Sequence, residues 1–400
     1  MMSKPLEGIR VLDWTAWQQG PIATALLADM GAEVIKIEPP EGEPGRGLLR
    51  MYGVELPLDF YYQNQNRGKR GIVLNLTTEK GREVLYKLAE KSDVFVTNYR
   101  ESAANRLKVD YETLKKYNPK LIYAYSSSFG PKGPDADKMS ADFAGQARGG
   151  IWSITQSEDL VPTPIGAGFA DEVGGVMTAY GILLALLARE RFGIGQRVDA
   201  SLLGGQIEMV RLQFQMYFMM GIVPPGSVMK AARNPLYYVY QDRDGKWFAI
   251  AALQADRFWP QFCKVFGIEE LEKDPKFENQ GVRGQNFDEL KPRLLEIIHA
   301  QPRDHWLKLL GEAGVPSAPV NDFADLAADP QVIANEYVVE IEDPIHGRVK
   351  VPGIPVKLSE TPGKVERLAP ELGQHTEEVL MELCGYTWDD LARLREEGVY

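Results

Sequence analysis

The sequence predicts an α/β protein with a parallel main sheet and a second, smaller domain inserted in the chain. Three observations support this prediction. Residues 9–38 have the pattern strand, helix, strand, which is the unit from which parallel sheets are built. Further strand-like runs follow at intervals of about 25–30 residues, with helical segments between them. This pattern stops near residue 220, at a segment rich in proline and glycine.

The first strand–helix–strand unit is the clearest element. Ile9–Asp13 is a short apolar run, and a loop over Trp14–Gly20 follows it. Pro21 suits the first position of a helix, which we predict over Pro21–Met30 with Gly31 as its stop signal. Glu33–Glu38 alternates as a second strand. The connecting turn is QQGP and lacks the GxGxxG pattern, so the sequence argues against a dinucleotide-binding protein such as an NAD-dependent dehydrogenase.

The strand–helix alternation continues through the first half of the chain. Strands are predicted at Gly71–Leu76, Asp93–Thr97, Leu121–Ser126 and Arg197–Ala200, and a helix at Glu79–Lys91. Parallel strands need connections of a dozen or more residues, and these intervals provide them.

A change of character after Met220 marks the inserted domain. The segment GIVPPGS is a linker, and Tyr237–Gln241 and Trp247–Ala252 flank a glycine-containing turn as a candidate hairpin. Helical patterns follow it. We therefore predict a large domain starting at residues 1–224, a small α+β domain at 225–320, and a return to the large domain at 321–400.

Composition narrows the class of protein. The 400 residues carry a formal net charge of −11, which disfavours nonspecific binding to nucleic acid. Two cysteines and four histidines show no metal-ligand spacing, so we expect no metal site and a reduced, cytoplasmic setting. No secretory leader pattern occurs at the start. The longest apolar helical run, Val176–Ala188, is too short to span a bilayer, so we predict a buried core helix and no membrane contact.

Asp171 stands out at a loop-to-helix boundary. Prolines and glycines precede it, and an Ala/Leu-rich helical run follows. The simplest interpretation is an N-terminal helix cap. However, Gly174 and Gly175 in the first turn weaken the helix, which is tolerable where a ligand or backbone approaches closely. The helix dipole would keep the Asp171 carboxylate ionised, as a nucleophile toward an activated acyl group requires.

Ten segments in order resemble the class III CoA-transferases, the family of formyl-CoA and carnitine CoA-transferases. The resemblance covers nearly the whole chain. The segments are VLDW…GPIATALLADMGAEVIKIEPP (11–40), NRGKRGIVLNL (66–76), DVFVTNYRESAANRL (93–107), SFGPKGP (128–134), FADEVGG (169–175), RERFGIGQRVDASLL (189–203), AGVPSAPVND (313–322), ADPQV (328–332), LSETPG (358–363) and LGQHTEEVL (372–380).

The resemblance implies a Rossmann-like large domain built from both chain ends, and a homodimer whose subunits are interlocked. It implies Asp171 as the nucleophile that takes CoA from an acyl-CoA donor and passes it to a carboxylic acid, through anhydride and aspartyl-CoA thioester intermediates. CoA thioester is then a substrate, and no bound cofactor is expected. Gly174 and Gly175 are candidates for backbone N–H groups that stabilise the oxyanions.

The same resemblance places CoA contacts at Leu74, Asn98, Tyr99 and Arg106. For Arg106 the alternative is a solvated helix charge, and for Tyr99 it is ordinary packing. Family members often carry an arginine directly after the KIE of the second strand, where this chain has Pro39. Arg46 is a candidate replacement. Lys69 and Arg70 are further candidates, with a solvated basic turn as their alternative.

Two other functions remain open at this point. An α-methylacyl-CoA racemase shares the aspartate that matches Asp171, but adds a histidine base where this chain has Ala141. A CoA-binding protein without catalysis is the second alternative. His375 we interpret as structural, since no acid or nucleophile motif is near it. The small domain shows no run of glycines like that of the formyl-CoA branch, which favours an acceptor larger than formate or oxalate.

Overall fold

The computed structural model describes residues 3–56, 58–155, 161–223 and 233–400. The chain forms two compact units. One comprises Met1–Trp152, Thr163–Val223 and Asn335–Tyr400, and the other comprises Ser153–Pro162 and Pro224–Ala334.

The first unit is built on a six-stranded parallel sheet in the order β3-β2-β1-β4-β5-β6. Its strands are β1 (Arg10–Trp14), β2 (Glu33–Glu38), β3 (Arg70–Val73), β4 (Val94–Thr97), β5 (Ile122–Ser127) and β6 (Arg197–Ser201). The order reverses between β1 and β4, so the loops that follow these two strands meet at the carboxyl edge of the sheet. Such a switch point is where open α/β sheets bind ligands.

Both faces of the sheet are largely buried in strands β1 to β5, and most residues of these strands are apolar. Successive residues of a strand point to opposite faces. Thus Leu12 belongs to one core, with Ile35 and Phe95, while its neighbour Val11 belongs to the other. Each face is covered by helices.

The helices of the first half of the chain are α1 (Gln19–Asp29), α2 (Leu48–Met51), α3 (Phe60–Asn66), α4 (Glu79–Glu90), α5 (Glu101–Arg106), α6 (Tyr111–Leu114), α7 (Asp142–Arg148), α8 (Ile151–Ile154), α9 (Phe169–Phe192), α10 (Leu202–Met209) and α11 (Arg211–Met220), with a 3₁₀ turn at Pro44–Gly47. Helices α1 and α9 cover the Val11 face of the sheet. Helix α4 covers the Leu12 face.

The second unit has its own antiparallel sheet and apolar core. Strands β7 (Tyr237–Gln241) and β8 (Trp247–Ala251) form the predicted hairpin, and β9 (Ser317–Pro319) joins it. Its helices are α12 (Ala255–Phe266), α13 (Gln280–Gln285), α14 (Phe287–Ile298), α15 (Arg303–Glu312), α16 (Phe323–Ala328) and α17 (Pro330–Ala334).

This unit extends past the boundary we predicted at residue 320. Arg303 in α15 donates to the Val320 carbonyl and to the Asp325 carboxylate in α16. These bonds tie α16 to the unit that contains α15.

The chain end returns to the first unit. It forms the hairpin β10 (Val338–Asp343) and β11 (Gly347–Pro352), then α18 (Thr376–Cys384) and α19 (Trp388–Glu396). Val379 and Leu380 of α18 join the core on the Leu12 face of the main sheet. His375 precedes α18, and its Nδ1 accepts the Gly71 N–H at 3.1 Å, which fixes this segment against β3.

Helix α9 differs from our prediction in length. It has 24 residues, and by length and composition alone it is long enough to cross a membrane. The prediction that the apolar run is too short is therefore wrong, because the helix begins before the run and continues past it. One face of the helix is buried and carries small residues such as Thr178 and Ala179. On the other face, Tyr180, Leu184 and Leu187 are exposed.

Candidate active site

A cavity of about 910 Å³ opens at the carboxyl edge of the main sheet. Its walls come from the last residue of β1 and from the segments that follow β2, β3 and β4. Trp14 ends β1, and its ring stacks on that of Tyr99 with centroids 4.4 Å apart. Leu74, which directly follows β3, contributes a buried apolar wall. Leu74 and Tyr99, predicted as CoA contacts, thus lie in one cavity.

Asn98 has a different place. Its Oδ1 accepts the Ala16 N–H at 2.9 Å, and its Nδ2 donates to the Ala16 carbonyl at 2.8 Å. The side-chain amide therefore joins the loop after β4 to the loop after β1 and does not line the cavity. The Asn98 side chain thus stabilises the loop after β1, at the switch point of the sheet.

Arg46 lies in the cavity wall, but its charge is already paired. Nε and Nη2 donate to the two oxygens of Glu38 at 2.7 and 2.8 Å, and Nη2 also donates to Tyr62 Oη and the Pro370 carbonyl. Glu38 is fully buried. The idea that Arg46 replaces the arginine missing at Pro39 does not fit this geometry, because the buried carboxylate holds its guanidinium.

Two arginines of the cavity keep their charge available. Arg106, predicted from the sequence, and Arg50, which sequence reasoning missed, both line the cavity and are exposed. Neither forms a salt bridge with any residue that the structure describes. They are the cations that an anionic ligand meets first.

Lys69 does not reach the cavity. It is fully buried, and its Nζ donates to Asp13 Oδ2 at 2.8 Å, Asn66 Oδ1 at 2.8 Å, and two backbone carbonyls. Burial lowers the pKa of Lys69 to about 8, although the Asp13 charge opposes this. The predicted ligand role does not fit, since all its bonds are internal.

Arg70 is likewise bonded to other residues of the protein. It donates to Glu33, Glu378 and Glu382, at distances between 2.6 and 2.9 Å. These contacts join β3 to β2 and to α18. Neither of the predicted alternatives, a phosphate ligand or a solvated turn, describes this residue.

Asp171 is the third residue of α9 and not its N-cap, contrary to our prediction. The cap position is Gly168, with φ of 82°, and the helix begins at Phe169. The capping carboxylate comes instead from Asp142 in α7. Its Oδ1 accepts the Ala170 N–H at 2.6 Å and the Asp171 N–H at 3.3 Å. The Asp171 side chain is left half-exposed at the helix terminus.

The charge state of Asp171 also differs from our expectation. Burial, the Asp142 charge and the Glu172 charge together raise the pKa of Asp171 to about 7. We expected the helix dipole to hold this carboxylate ionised. Burial, which is the largest cause, and the two neighbouring acids outweigh the dipole, because a low-dielectric surrounding and a like charge both disfavour the ionised form.

The glycines after Asp171 pack against another helix. A Cβ at Gly174 would lie 2.7 Å from Gln19 Nε2, and one at Gly175 would lie 2.8 Å from the Gln19 carbonyl oxygen. Both residues lie inside α9, where backbone N–H groups donate to carbonyls four residues earlier. Their predicted role as oxyanion donors does not fit, and their small size serves the close crossing of α1 and α9.

Comparison with known proteins identifies the family of this chain. The sequence model of CoA-transferase family III matches residues 6–376. The chain belongs to CoA-transferase family III.

Relatives and a solved structure extend this result. The family III chain is 34% identical to the succinyl-CoA–D-citramalate CoA-transferase of Chloroflexus aurantiacus, over 99% of this chain and 98% of the relative. It is 37% identical to the acetyl-CoA:oxalate CoA-transferase of Acetobacter aceti, over 89% of each. The crystal structure of a CAIB/BAIF family protein from Brucella suis superposes with a TM-score of 0.85 at 32% identity, covering 95% of this chain and 100% of that one. The protein is therefore a class III CoA-transferase.

Sequence reasoning missed three residues around Asp171 in this family III site. Asp142 lies 29 residues earlier in the chain, next to Ala141. Gln18 Nε2 donates to Glu172 Oε1 at 3.2 Å. Burial and, after it, the Asp171 charge raise the pKa of the Tyr61 hydroxyl. The sequence signal that could have identified Asp142 is an acidic residue directly after Ala141, the position at which the racemases carry a histidine.

Gln146 fixes Asp142 in this arrangement. It is fully buried, and its Nε2 donates to Asp142 Oδ2 at 2.8 Å and to the Gly166 carbonyl at 2.7 Å. Its Oε1 accepts the Trp152 ring N–H and the Ile165 N–H. One amide therefore holds both the capping acid and the loop that leads into α9.

Proposed function

We propose that this family III CoA-transferase moves CoA between carboxylic acids through covalent intermediates on Asp171. The observation that supports the proposal most is the position of this carboxylate, half-exposed at the start of α9, with a pKa of about 7 that burial and neighbouring acids produce. A carboxylate with a pKa near neutrality is more basic than an ordinary aspartate, and it is still substantially ionised at neutral pH.

The reaction has four steps in the proposed mechanism. Asp171 attacks the donor thioester, which gives a mixed anhydride and releases CoA thiolate. The thiolate attacks the Asp171 carbonyl, which gives an aspartyl-CoA thioester and releases the donor acid. The acceptor carboxylate attacks this thioester and releases the thiolate again. Finally, the thiolate attacks the acceptor carbonyl of the second anhydride, which yields the new acyl-CoA and the free Asp171 carboxylate.

The cavity at the carboxyl edge of the sheet is the proposed site of CoA. Arg50 and Arg106 supply unpaired positive charge for the phosphates. The stacked rings of Trp14 and Tyr99 and the side chain of Leu74 supply apolar contact area. This assignment keeps Leu74, Tyr99 and Arg106 from the sequence prediction and adds Arg50. The strand order around the cavity supports a Rossmann-like description of the large domain.

A homodimer accounts for the exposed apolar surface of the first unit. The free face of α9 carries Val176, Tyr180, Leu183, Leu184 and Leu187, all at least two-fifths exposed. Continuous apolar surface of this kind marks an interaction site. We assign it to a second copy of the chain, in the interlocked form that the family resemblance implies, and not to a membrane. A cytoplasmic location and the absence of a permanently bound cofactor remain predictions.

The acyl-CoA donor and the acid acceptor of this chain are part of the proposal. The relatives named above differ in both donor and acceptor, so their names do not select one pair for this chain. An acceptor larger than formate or oxalate stays our prediction.

Racemisation is not favoured, because Ala141 offers no base and the neighbouring Asp142 is held by Gln146 and the α9 backbone.

The direct test is substitution of the nucleophile. We expect Asp171→Ala to lose transfer with every acyl-CoA donor, while its affinity for CoA stays close to that of the wild type. Glu190→Ala, an exposed acid near the other end of α9, serves as the control and keeps full activity. Substantial transfer by Asp171→Ala would refute the assignment.

A further inference from the structure

Glu43, in the wall of the proposed CoA cavity, has one carboxylate oxygen whose hydrogen bonding needs an explanation. The residue follows β2 and is only 3% exposed. Its Oε2 accepts the Trp17 N–H at 2.9 Å and the Gly45 N–H at 3.0 Å. Its Oε1 is buried and has no hydrogen-bond partner among the residues that the structure describes. A buried carboxylate oxygen without a donor is costly, so this one calls for a donor from outside the protein.

The charge of the ligand limits which part of it can supply that donor. CoA carries several phosphate charges, and a carboxylate repels them. The phosphates therefore belong with Arg50 and Arg106, and Glu43 faces an uncharged part of the molecule. The pantetheine arm is uncharged and contains two amide N–H groups. The other neutral donors of CoA are the pantoate hydroxyl of the same arm, the ribose 2′-hydroxyl and the adenine amino group.

The position of Glu43 favours the arm over the ribose. Glu43 Oε2 accepts the Trp17 N–H at 2.9 Å, and the adjacent Gln18 donates to Glu172, the chain neighbour of Asp171, at 3.2 Å. Glu43 consequently lies on the side of the cavity that leads to Asp171. In a productive complex the thioester is at Asp171, and the pantetheine arm is the part of CoA that precedes it.

We propose that Glu43 Oε1 accepts a hydrogen bond from an amide N–H of the pantetheine arm of CoA. This inference rests on the proposed function, because it takes the cavity as the CoA site. The other carboxylate oxygen holds Trp17, whose φ of 65° is unusual for a residue with a side chain. Gln18 follows and contacts Glu172 beside Asp171. One carboxylate thus binds the arm and orients the loop next to the nucleophile.

The test variant is Glu43→Gln. Its carbonyl oxygen can still accept the Trp17 and Gly45 N–H groups, which fixes the amide orientation. Its NH₂ group then faces the ligand amide, so two donors oppose each other. We expect calorimetric affinity for CoA to fall about tenfold, because the variant loses a hydrogen bond between the ligand and a charged group. Affinity for 3′,5′-ADP, which lacks the arm, should stay within twofold of the wild type.

Glu41→Gln is the matched control, because Glu41 lines the same cavity and is exposed. It removes one negative charge and should affect CoA and 3′,5′-ADP equally. Equal weakening of both ligands by Glu43→Gln would overturn the inference and point to the ribose or to a general loss of structure. Unchanged affinity for both would overturn it as well.

A second measurement needs no variant. CoA analogues in which each arm amide in turn is replaced by an ester lack one N–H group. We expect the wild type to bind one of these analogues about tenfold more weakly than CoA. Undiminished binding of both analogues would contradict the inference. If the wild type binds CoA but Glu43 proves neutral, only this inference fails. If the wild type binds neither CoA nor 3′,5′-ADP, the proposed cavity fails with it.

Discussion

The Asp142 carboxylate caps the helix that carries Asp171, and its Oδ1 accepts the Asp171 backbone N–H at 3.3 Å. The same acid that orders the helix start also raises the pKa of the nucleophile, after burial and ahead of Glu172. Asp142 therefore influences both the order of the helix start and the charge of the proposed nucleophile.

Asp142→Asn tests this relationship. The amide keeps an acceptor for the Ala170 N–H but removes the charge, so the pKa of Asp171 should fall. We expect the acid limb of the rate profile, with its midpoint near pH 7 in the wild type, to move down by about one pH unit. Asp137→Asn, an exposed acid that makes no contribution at Asp171, should leave the limb in place. An unchanged midpoint in Asp142→Asn would contradict the account.

The raised pKa of Asp171 also predicts a cost in stability. The folded-state pKa of about 7 lies above the ordinary value of 3.8, so the folded protein retains a proton that the unfolded chain releases. Stability therefore falls as pH rises through this window. The full difference corresponds to about 4 kcal/mol, and solvent screening of the partly exposed side chain reduces it to about 2 kcal/mol.

Asp171→Asn should consequently raise the free energy of unfolding at pH 8 by about 2 kcal/mol. The gain should shrink toward zero below about pH 3, where the wild-type carboxyl is protonated in both states. Urea denaturation at several pH values measures it. A gain of the same size at every pH would show that ionisation of Asp171 is not its source.

Two of the three arginines in the sequence prediction, Arg106 and Arg46, should respond differently to truncation. Arg106→Ala removes a free cation from the cavity and should weaken CoA binding roughly tenfold with little change in unfolding. Arg46→Ala leaves the buried Glu38 without its partner and should cost about 3 kcal/mol of stability. Calorimetric titration and urea denaturation of both variants separate the roles. Equal effects on CoA affinity would return Arg46 to the ligand site.

Gly175→Ala tests the packing role assigned to that glycine. The added methyl would lie 2.8 Å from the Gln19 carbonyl and from Ile22 Cγ2, so α1 and α9 must separate. We expect a loss of about 1–3 kcal/mol in stability. Gly311→Ala is the control, because that glycine is helical with open space beside it, and it should not destabilise. A fall in kcat at unchanged stability would instead support an oxyanion role for Gly175.

The sequence predicted the strand–helix alternation, the hairpin of the second unit and the family, because periodicity and ordered segments are local or linear signals. It also singled out Asp171. It misplaced this residue as its own helix cap, since the capping acid lies 29 residues away and enters only through tertiary structure. Lys69 was misjudged for a similar reason. A basic turn looks solvated until Asp13 and Asn66 are seen to enclose it.

The sequence also could not show whether the charge of Arg46 is paired inside the protein. Its bidentate pairing with Glu38 depends on a chain reversal between residues 38 and 46. The free cation, Arg50, lies only four residues further along. Local sequence offers no means of telling a paired arginine from an unpaired one at this spacing.

Covalent trapping at Asp171 tests the central claim most directly. The protein is incubated with a panel of acyl-CoA donors, quenched with hydroxylamine, and digested for mass mapping. We predict a hydroxamate on Asp171 with the productive donors and none in Asp171→Ala. A protein that transfers CoA between acids with no adduct on Asp171, or with the adduct on another residue, would contradict the account.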